Sequence, residues 1–560
     1  MSCNRYGHAA IAAFFLLLTS CTQKPQGLPP RYAVGHFENL SGDPSLDWVA
    51  RAAPEYISAT LAKALDGPVL NSASLNRAGP GISDDRAKAR IVGVNHLISG
   101  YLERVNGKLR LYAVDEDLAT GKDARQFSVE ANQPVQALND MVHAFSSSPA
   151  PYLTSNPDAL KLYATALDEP IDHAATDLRA ATHTDPNFGP AWVSLIEATS
   201  RRGDKEAVAK TIDEALSQKL DPLDHAQIRV EKALLDGDKS ASLAALRDLS
   251  AQSPDDLALL KSLAESDTAA GNFKQAAADY KKIRDAVPND RDAWNQLGYS
   301  LAWSGDFTGA LDIMKQYGAR WPDDPNPIDS LGDVNYMYGK FADAATLYLK
   351  ADQKGPKLLN GGDLYKAAWA YFKAGDKSKA DAAFAQFRTA RTKTNAEAFT
   401  PFEADWLYRT GREKEAIALL RKEDTGWSQL VIWDLLAHDR AAAAKDAATE
   451  ATKTASNVST ITRFAALPSA SAAEWQARAE KMIRGNGAEP ARRFALGIAL
   501  LLDGKTDAAR PVWEKIVEES SGTDFLSRNI ATKLKGEKPK LEQTPDSLAV
   551  NPLTAIADKL

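Results

Sequence analysis

Arg291-Asp292-Ala293-Trp294-Asn295-Gln296-Leu297-Gly298-Tyr299-Ser300-Leu301-Ala302-Trp303-Ser304-Gly305 is the stretch from which the rest of the chain can be read. Trp294, Leu297 and Leu301 recur at the spacing that puts them on one helical face. Gly298 stands between them, small where a second helix has to cross closely, and Gly305 makes the turn. A second helical pattern follows through Ala310 and Met314, and Pro322 stops it. Then the pattern begins again. Gly203, Gly237, Gly271, Gly305 and Gly339 keep a metre of 34 residues, and Pro254, Pro288, Pro322 and Pro356 keep a second one. A period of this length describes helix–turn–helix units that bury their apolar faces only against their neighbours, so the middle of the chain is a helical solenoid.

The units on either side repeat the same positions. One uses Leu260, Leu263, Ala264, Gly271, Ala276, Tyr280 and Pro288; another uses Ile328, Leu331, Gly332, Gly339, Ala344, Tyr348 and Pro356. Trp192, Leu195, Gly203 and Ala215 mark an earlier unit, and Gly375 and Gly411 continue at a 36-residue step. From Trp427 to Arg484 the pattern is helical without the signature, which returns in Leu496, Gly497, Leu500, Gly504, Ala509 and Trp513. On these residues the chain resembles the tetratricopeptide-repeat family over about residues 155 to 520, with ten units. The resemblance implies an all-α superhelical solenoid over 155–532 whose concave groove binds protein or peptide partners. The Lys/Glu/Pro-rich run 533–560 reads as a flexible tail.

The start of the chain points to a membrane surface. Arg5 precedes an apolar run from Ala9 to Leu18, too short to span a bilayer and suited to a signal-peptide core. Leu18-Thr19-Ser20-Cys21 resembles a bacterial lipobox, which implies a signal peptide over 1–20 and lipidation of Cys21. By resemblance to Gram-negative lipoproteins, Thr22 in place of Asp after the cysteine implies the outer membrane, facing the periplasm. Cys3 lies in the part removed, so the mature chain has no cysteine left for a disulfide. Residues 21–30 form a tether with prolines at Pro25, Pro29 and Pro30.

Between tether and repeats, alternating stretches at Arg31–Leu40, Pro68–Ser74, His96–Arg104, Lys108–Asp117 and Ala124–Glu130 predict strands. Leu46–Leu65, Asp84–Val92 and Val135–Phe145 predict helices, and Asn106-Gly107 predicts a tight hairpin. The motif from Val34 to Pro44, with Trp48, Leu97-Ile98-Ser99-Gly100-Tyr101-Leu102 and Asp117-Leu118-Ala119-Thr120-Gly121, resembles the TolB-amino-terminal-like domain. It implies a small α/β domain over 31–146, so the fold class is α+β overall.

Composition narrows the function. The 560 residues are 44% hydrophobic and 25% charged, with a formal charge of −7, which argues against a nucleic-acid partner. No phosphate loop, no His-Glu-x-x-His pair and no Gly-x-Ser-x-Gly elbow is present. His173 and His183 are not spaced as metal ligands. Glu265-Ser266 and Glu519-Ser520 lack the motif that follows the catalytic Glu of cell-wall lytic enzymes. The expectation is a chain with no catalytic site, metal or cofactor. The candidate site is the groove face of the first helices: Asn295, Tyr299, Trp303, Asp329, Asp333, Tyr336, Tyr365, Trp369, Tyr408 and Arg409. Aromatic residues beside polar groups are what binding hot spots favour. Asp329 and Asp333 stand four apart on one helix, a spacing that fits a cationic ligand or a partner such as Arg291 or Lys366. The expected function is a lipid-anchored periplasmic scaffold or adaptor, with a peptide- or glycan-binding accessory subunit as the alternative.

Overall fold

The computed structural model describes residues 29–62, 64–70, 75, 81–356, 359–392, 399–453, 456–482, 489–545 and 554–560. The signal-like segment and Cys21 lie outside them. The chain divides into two compact units, 1–152 and 153–560.

In the first unit the alternating stretches become one five-stranded sheet. Its elements are β1 (Tyr32–Asn39), α1 (Asp47–Leu61), β2 (Val69–Leu70), α2 (Asp85–Ile91), β3 (His96–Val105), β4 (Lys108–Asp117), β5 (Lys122–Ala131) and α3 (Pro134–Phe145). Strand order is β2-β1-β3-β4-β5; β1 runs parallel to β2 and β3, and the last two pairings are antiparallel. Asn106 and Gly107 both take positive φ, 52° and 79°, as the tight β3–β4 turn requires. Ala89 of α2 and Val92 pack with Ala33, Leu70 and Leu97 in one core cluster.

The second unit is helical. Among the described residues, ten helix pairs run from Pro157–Ala166 with Ile171–Thr184 to Glu489–Leu502 with Thr506–Glu519. The glycine metre has a backbone cause. Gly305 sits at φ 96°, where its N–H donates to Ala302 O (3.1 Å) and the Asp306 N–H to Leu301 O (2.9 Å). That left-handed cap satisfies carbonyls at the helix end and turns the chain into its partner helix, whose start Asp306 caps by accepting from the Gly309 N–H at 2.8 Å. Gly298 is small for a different reason: a Cβ there would lie 2.5 Å from the Met314 Cε of the crossing helix.

Two features depart from a uniform stack. The helices Asn457–Ala465 and Ala472–Met482, in the stretch without signature, meet through the Phe464 and Trp475 rings, 5.3 Å between centres, but both pack more extensively on Glu489–Leu502. Further on, the loop after Glu519 meets an early repeat, with the Gly522 N–H donating to Ala269 O at 2.5 Å.

The run 533–560 differs from the flexible tail expected of it. Leu541 packs on the core around Trp294 and Met314, and the Glu542 N–H donates to Met337 O at 2.8 Å. Residues Thr554–Lys559 form a short helix in which Thr554, Ala555, Ile556 and Ala557 are buried. Composition announced a solvated segment. A few small apolar residues, placed where other helices already form a face, suffice to hold it.

Candidate protein-binding groove

The two helices of a pair are buried differently. In Phe341–Lys354 only a stripe is covered: Ala344, Ala345, Tyr348 and Ala351. Its partner Asn326–Met337 buries Pro327, Asp329, Ser330 and every residue from Gly332 to Met337. Gly362–Lys373 is likewise buried from Asp363 to Ala370. A helix covered on all sides lies inside the stack. These two first helices therefore lie on the inner side of the stack, and that side carries buried charge.

Its centre is Lys366, whose side chain is 1% exposed. The ammonium lies 2.5 Å from Asp329 Oδ1 and 2.9 Å from Asp333 Oδ1, and 4.9 Å from the centre of the Tyr348 ring. Asp333 also accepts from the Tyr348 hydroxyl and from the Tyr299 hydroxyl, each at 2.8 Å. Burial, with the Asp333 charge adding to it, pushes the Asp329 carboxyl well above the usual carboxylate range, against the pull of Lys366. Asp363, 2% exposed, is raised by burial too. Sequence reasoning offered Lys366 or Arg291 as a partner for the two carboxylates; it is Lys366, while Arg291 bonds Asp324 at 3.1 Å.

One repeat later stands Arg409. Its Nε donates to both oxygens of Asp405, at 2.9 and 3.0 Å, one turn back on the same helix. Its Nη1 and Nη2 donate to Asp558 and Thr554 of the C-terminal helix. The guanidinium lies 5.9 Å from the Trp369 ring centre. Burial raises the Asp405 carboxyl, and Arg409 opposes the shift.

The aromatic residues expected to await a ligand are engaged with one another. Trp369 packs edge-on against Trp406, Phe372 and Tyr365, at 5.0, 5.7 and 6.1 Å between ring centres. Tyr336, Tyr365, Trp369 and Tyr408 are all buried. Trp303 stacks on Tyr299 at 5.5 Å and reaches Phe525 at 6.1 Å. Asn295, Tyr299 and Trp303 remain half-buried. Of the ten groove residues, Asp329, Asp333 and Tyr299 are drawn into one polar cluster, and Arg409 into another with the tail. An aromatic stripe at helical spacing was filled by packing between successive first helices. The residues missed, Asp363, Thr554 and Asp558, carried a faint signal at best. Lys366 carried a clearer one, as a lone lysine in the apolar run from Leu364 to Ala370.

Among the described residues no group of three or more His, Cys, Asp or Glu side chains is arranged to hold a metal ion. No described helix is long and apolar enough to cross a membrane.

Comparison with known proteins reaches the repeats. A tetratricopeptide-repeat family model matches residues 364–390, the helix pair that holds Lys366 and Trp369. The helical unit is a solenoid of tetratricopeptide-like helix pairs, and one of those pairs matches the repeat model itself. The chain is 28% identical over 184 residues to the TPR repeat-containing protein PA4667 of Pseudomonas aeruginosa, a match covering 32% of this chain and 31% of that protein. It thus spans about a third of the length of that curated relative. Among solved structures, MamA 41-end from Desulfovibrio magneticus is 16% identical, with 31% of this chain and 98% of that one covered and a TM-score of 0.26. The C-terminal part of a TPR repeat-containing protein from Cytophaga hutchinsonii is 16% identical, with coverage of 43% and 96% and a TM-score of 0.33. Tetratricopeptide repeats generally serve as protein–protein interaction scaffolds, and the fold is generally non-enzymatic.

Proposed function

We propose that the chain is a non-enzymatic scaffold that holds protein partners on the inner face of its repeats, anchored by lipid on Cys21 in the outer membrane and facing the periplasm. The observation that carries the reading is that polypeptide already lies on this face. The tail is taken there by a main-chain hydrogen bond at Met337, by the Lys373–Glu542 ion pair (3.6 Å) and by the Arg409 fork. A surface that engages a chain through backbone and charged contacts suits a peptide segment of a protein. A glycan has less support, because Trp369, on which it would stack, is 3% exposed. The anchor is supported by Leu18-Thr19-Ser20-Cys21, and the first unit is assigned as a TolB-amino-terminal-like domain on its Val34–Pro44 motif.

Site-specific photo-cross-linking in cells tests the scaffold. A photoreactive residue at the half-buried Asn295 should give adducts with a partner protein, and one at Lys281, exposed on a second helix, should not. Adducts from Lys281 alone, or from neither, overturn the groove assignment. In the same cells the wild-type chain should fractionate with outer membrane and Cys21→Ser should not. Detergent-free solubility of the wild type, with no lipid on its N-terminus, refutes the anchor.

A further inference from the structure

The Arg409 guanidinium divides its donors between two sources. Its Nε belongs to Asp405 of its own repeat, while Nη1 and Nη2 belong to Asp558 and Thr554. Thr554 and Asp558 are four apart on one helix, so hydroxyl and carboxylate present themselves side by side. A planar fork that meets a hydroxyl and a carboxylate together is specific in geometry as well as in charge. Between them, Ala555, Ile556 and Ala557 are 2%, 2% and 8% exposed, two small residues flanking one aliphatic anchor where this helix meets Trp427–Leu436 and Phe525–Leu534. From the other side, Lys533 Nζ donates to Ala557 O at 2.5 Å.

Ala555, Ile556 and Ala557 share one buried core with Leu430, Trp433 and Ile530, but the segment that makes these contacts is short and its charged ties face solvent. Its helix has six residues, far below the length at which a helix is stable alone, so it loses its structure when it leaves. Asp558 is 50% exposed, and the Lys559–Glu413 pair at 3.6 Å joins two exposed side chains. What favours it is tethering, which makes its binding intramolecular. Nor does it continue the stack: the last pair is followed by Phe525–Leu534, and Thr554–Lys559 reaches back to an earlier repeat at Arg409.

We infer that the inner face from Met337 to Arg409 is a docking site for a helix bearing a hydroxyl and a carboxylate four residues apart around small apolar residues, and that the chain's own residues 541–545 and 554–560 occupy the site until a partner helix of that chemistry displaces them. The inference rests on the scaffold reading and names the partner's recognition element. A longer helix with the same face brings its own stability and more apolar area, which is how it wins against a tethered six-residue one.

The test uses the full chain and a fluorescein-labelled synthetic peptide of residues 541–560. Asp558→Arg turns the Arg409 contact repulsive and should release the tail helix. Anisotropy should then show the wild-type peptide binding Asp558→Arg chain at least about ten-fold tighter than wild-type chain, whose site is filled. A peptide carrying Thr554→Val and Asp558→Asn should lose about ten-fold of that gain. Hydrogen exchange of Asp558→Arg chain should rise at residues 554–560 and stay unchanged in Trp427–Leu436. Equal peptide binding by both chains, indifference to the peptide substitutions, or loss of protection throughout Trp427–Leu436 overturns the inference, since the last would make the tail a core element. Those failures leave adducts at Asn295 untouched. Conversely, tight peptide binding without cellular adducts would sink the scaffold reading and keep the site.

Discussion

Lys366 and Arg409 are buried cations on successive first helices of the same inner face, and they are closed in opposite ways. Lys366 finds Asp329 and Asp333 on the preceding first helix, with Tyr348 and Tyr299 hydrogen-bonded to Asp333, so every member belongs to the repeats. Arg409 finds one partner in its own helix and two in a short segment at the end of the chain. A buried charge whose partners are all held by packed helices is part of the architecture. One completed by a separately attached segment is a place where occupants can exchange. Similar chemistry, a residue type and a burial apart, thus serves folding at one repeat and recognition at the next.

The comparison is broken most directly by removing the first cation. Lys366→Met leaves Asp329, Asp333 and Asp363 buried with no ammonium among them, and should cost on the order of 3–5 kcal/mol in urea unfolding. Asp329→Asn with Asp333→Asn should also destabilise, because Lys366 would then be the unpaired buried charge. On an isolated helix two carboxylates four apart repel slightly, and removing them would have the opposite effect. A change below about 1 kcal/mol in both variants would show that the cluster is not a structural constraint.

Asp224 supplies a third environment, a buried carboxylate with no cation paired to it among the described residues, and it extends the contrast through pH. It is 7% exposed, its Oδ2 has no hydrogen-bond partner among the described residues, and a Cβ on Gly189 would lie 2.1 Å from that oxygen. Burial, aided by the Asp221 charge, pushes it up to about 7. A carboxyl raised in the folded state holds a proton that the unfolded chain releases. Its contribution therefore falls as pH rises from about 4 to about 7, and is constant above. Asp224→Asn removes that loss. Between pH 5 and pH 8 the variant should lose less stability than wild type by roughly 2 kcal/mol. Parallel urea midpoints at the two pH values would assign the titration elsewhere.

How much of this could be read beforehand follows from what each signal measures. The glycine and proline metres report backbone necessities, a left-handed cap such as Gly305 and a close crossing such as Gly298 against Met314, and they located the helix pairs. Strand alternation and Asn106-Gly107 did the same for the sheet, because period and turn chemistry are local. The groove was less legible. Helical spacing shows which residues share a helix face but not what the next helix places against it, so it leaves Trp369 and Tyr365 on an open face, whereas Trp406 and Phe387 pack against them. The tail was least legible of all. Its charge and prolines describe an unfolded segment correctly for local energetics, and only the pre-built face around Met337 and Arg409 overrides them.

The smallest expected effect is the one that separates the two cations most cleanly. Asp558→Asn keeps the shape and a hydrogen-bonding oxygen but removes the charge facing Arg409. Asp558 is half-exposed, so solvent already screens the pair, and Asp405 continues to compensate the guanidinium. Global unfolding should change by no more than about 0.5–1 kcal/mol, well under the cost of Lys366→Met. The same substitution should nevertheless raise hydrogen exchange in residues 554–560, since a six-residue helix depends on its few contacts. A loss of several kcal/mol in global stability would place Arg409 in the same class as Lys366, a charge the fold cannot spare, and the distinction between an architectural cation and an exchangeable one would fall with it.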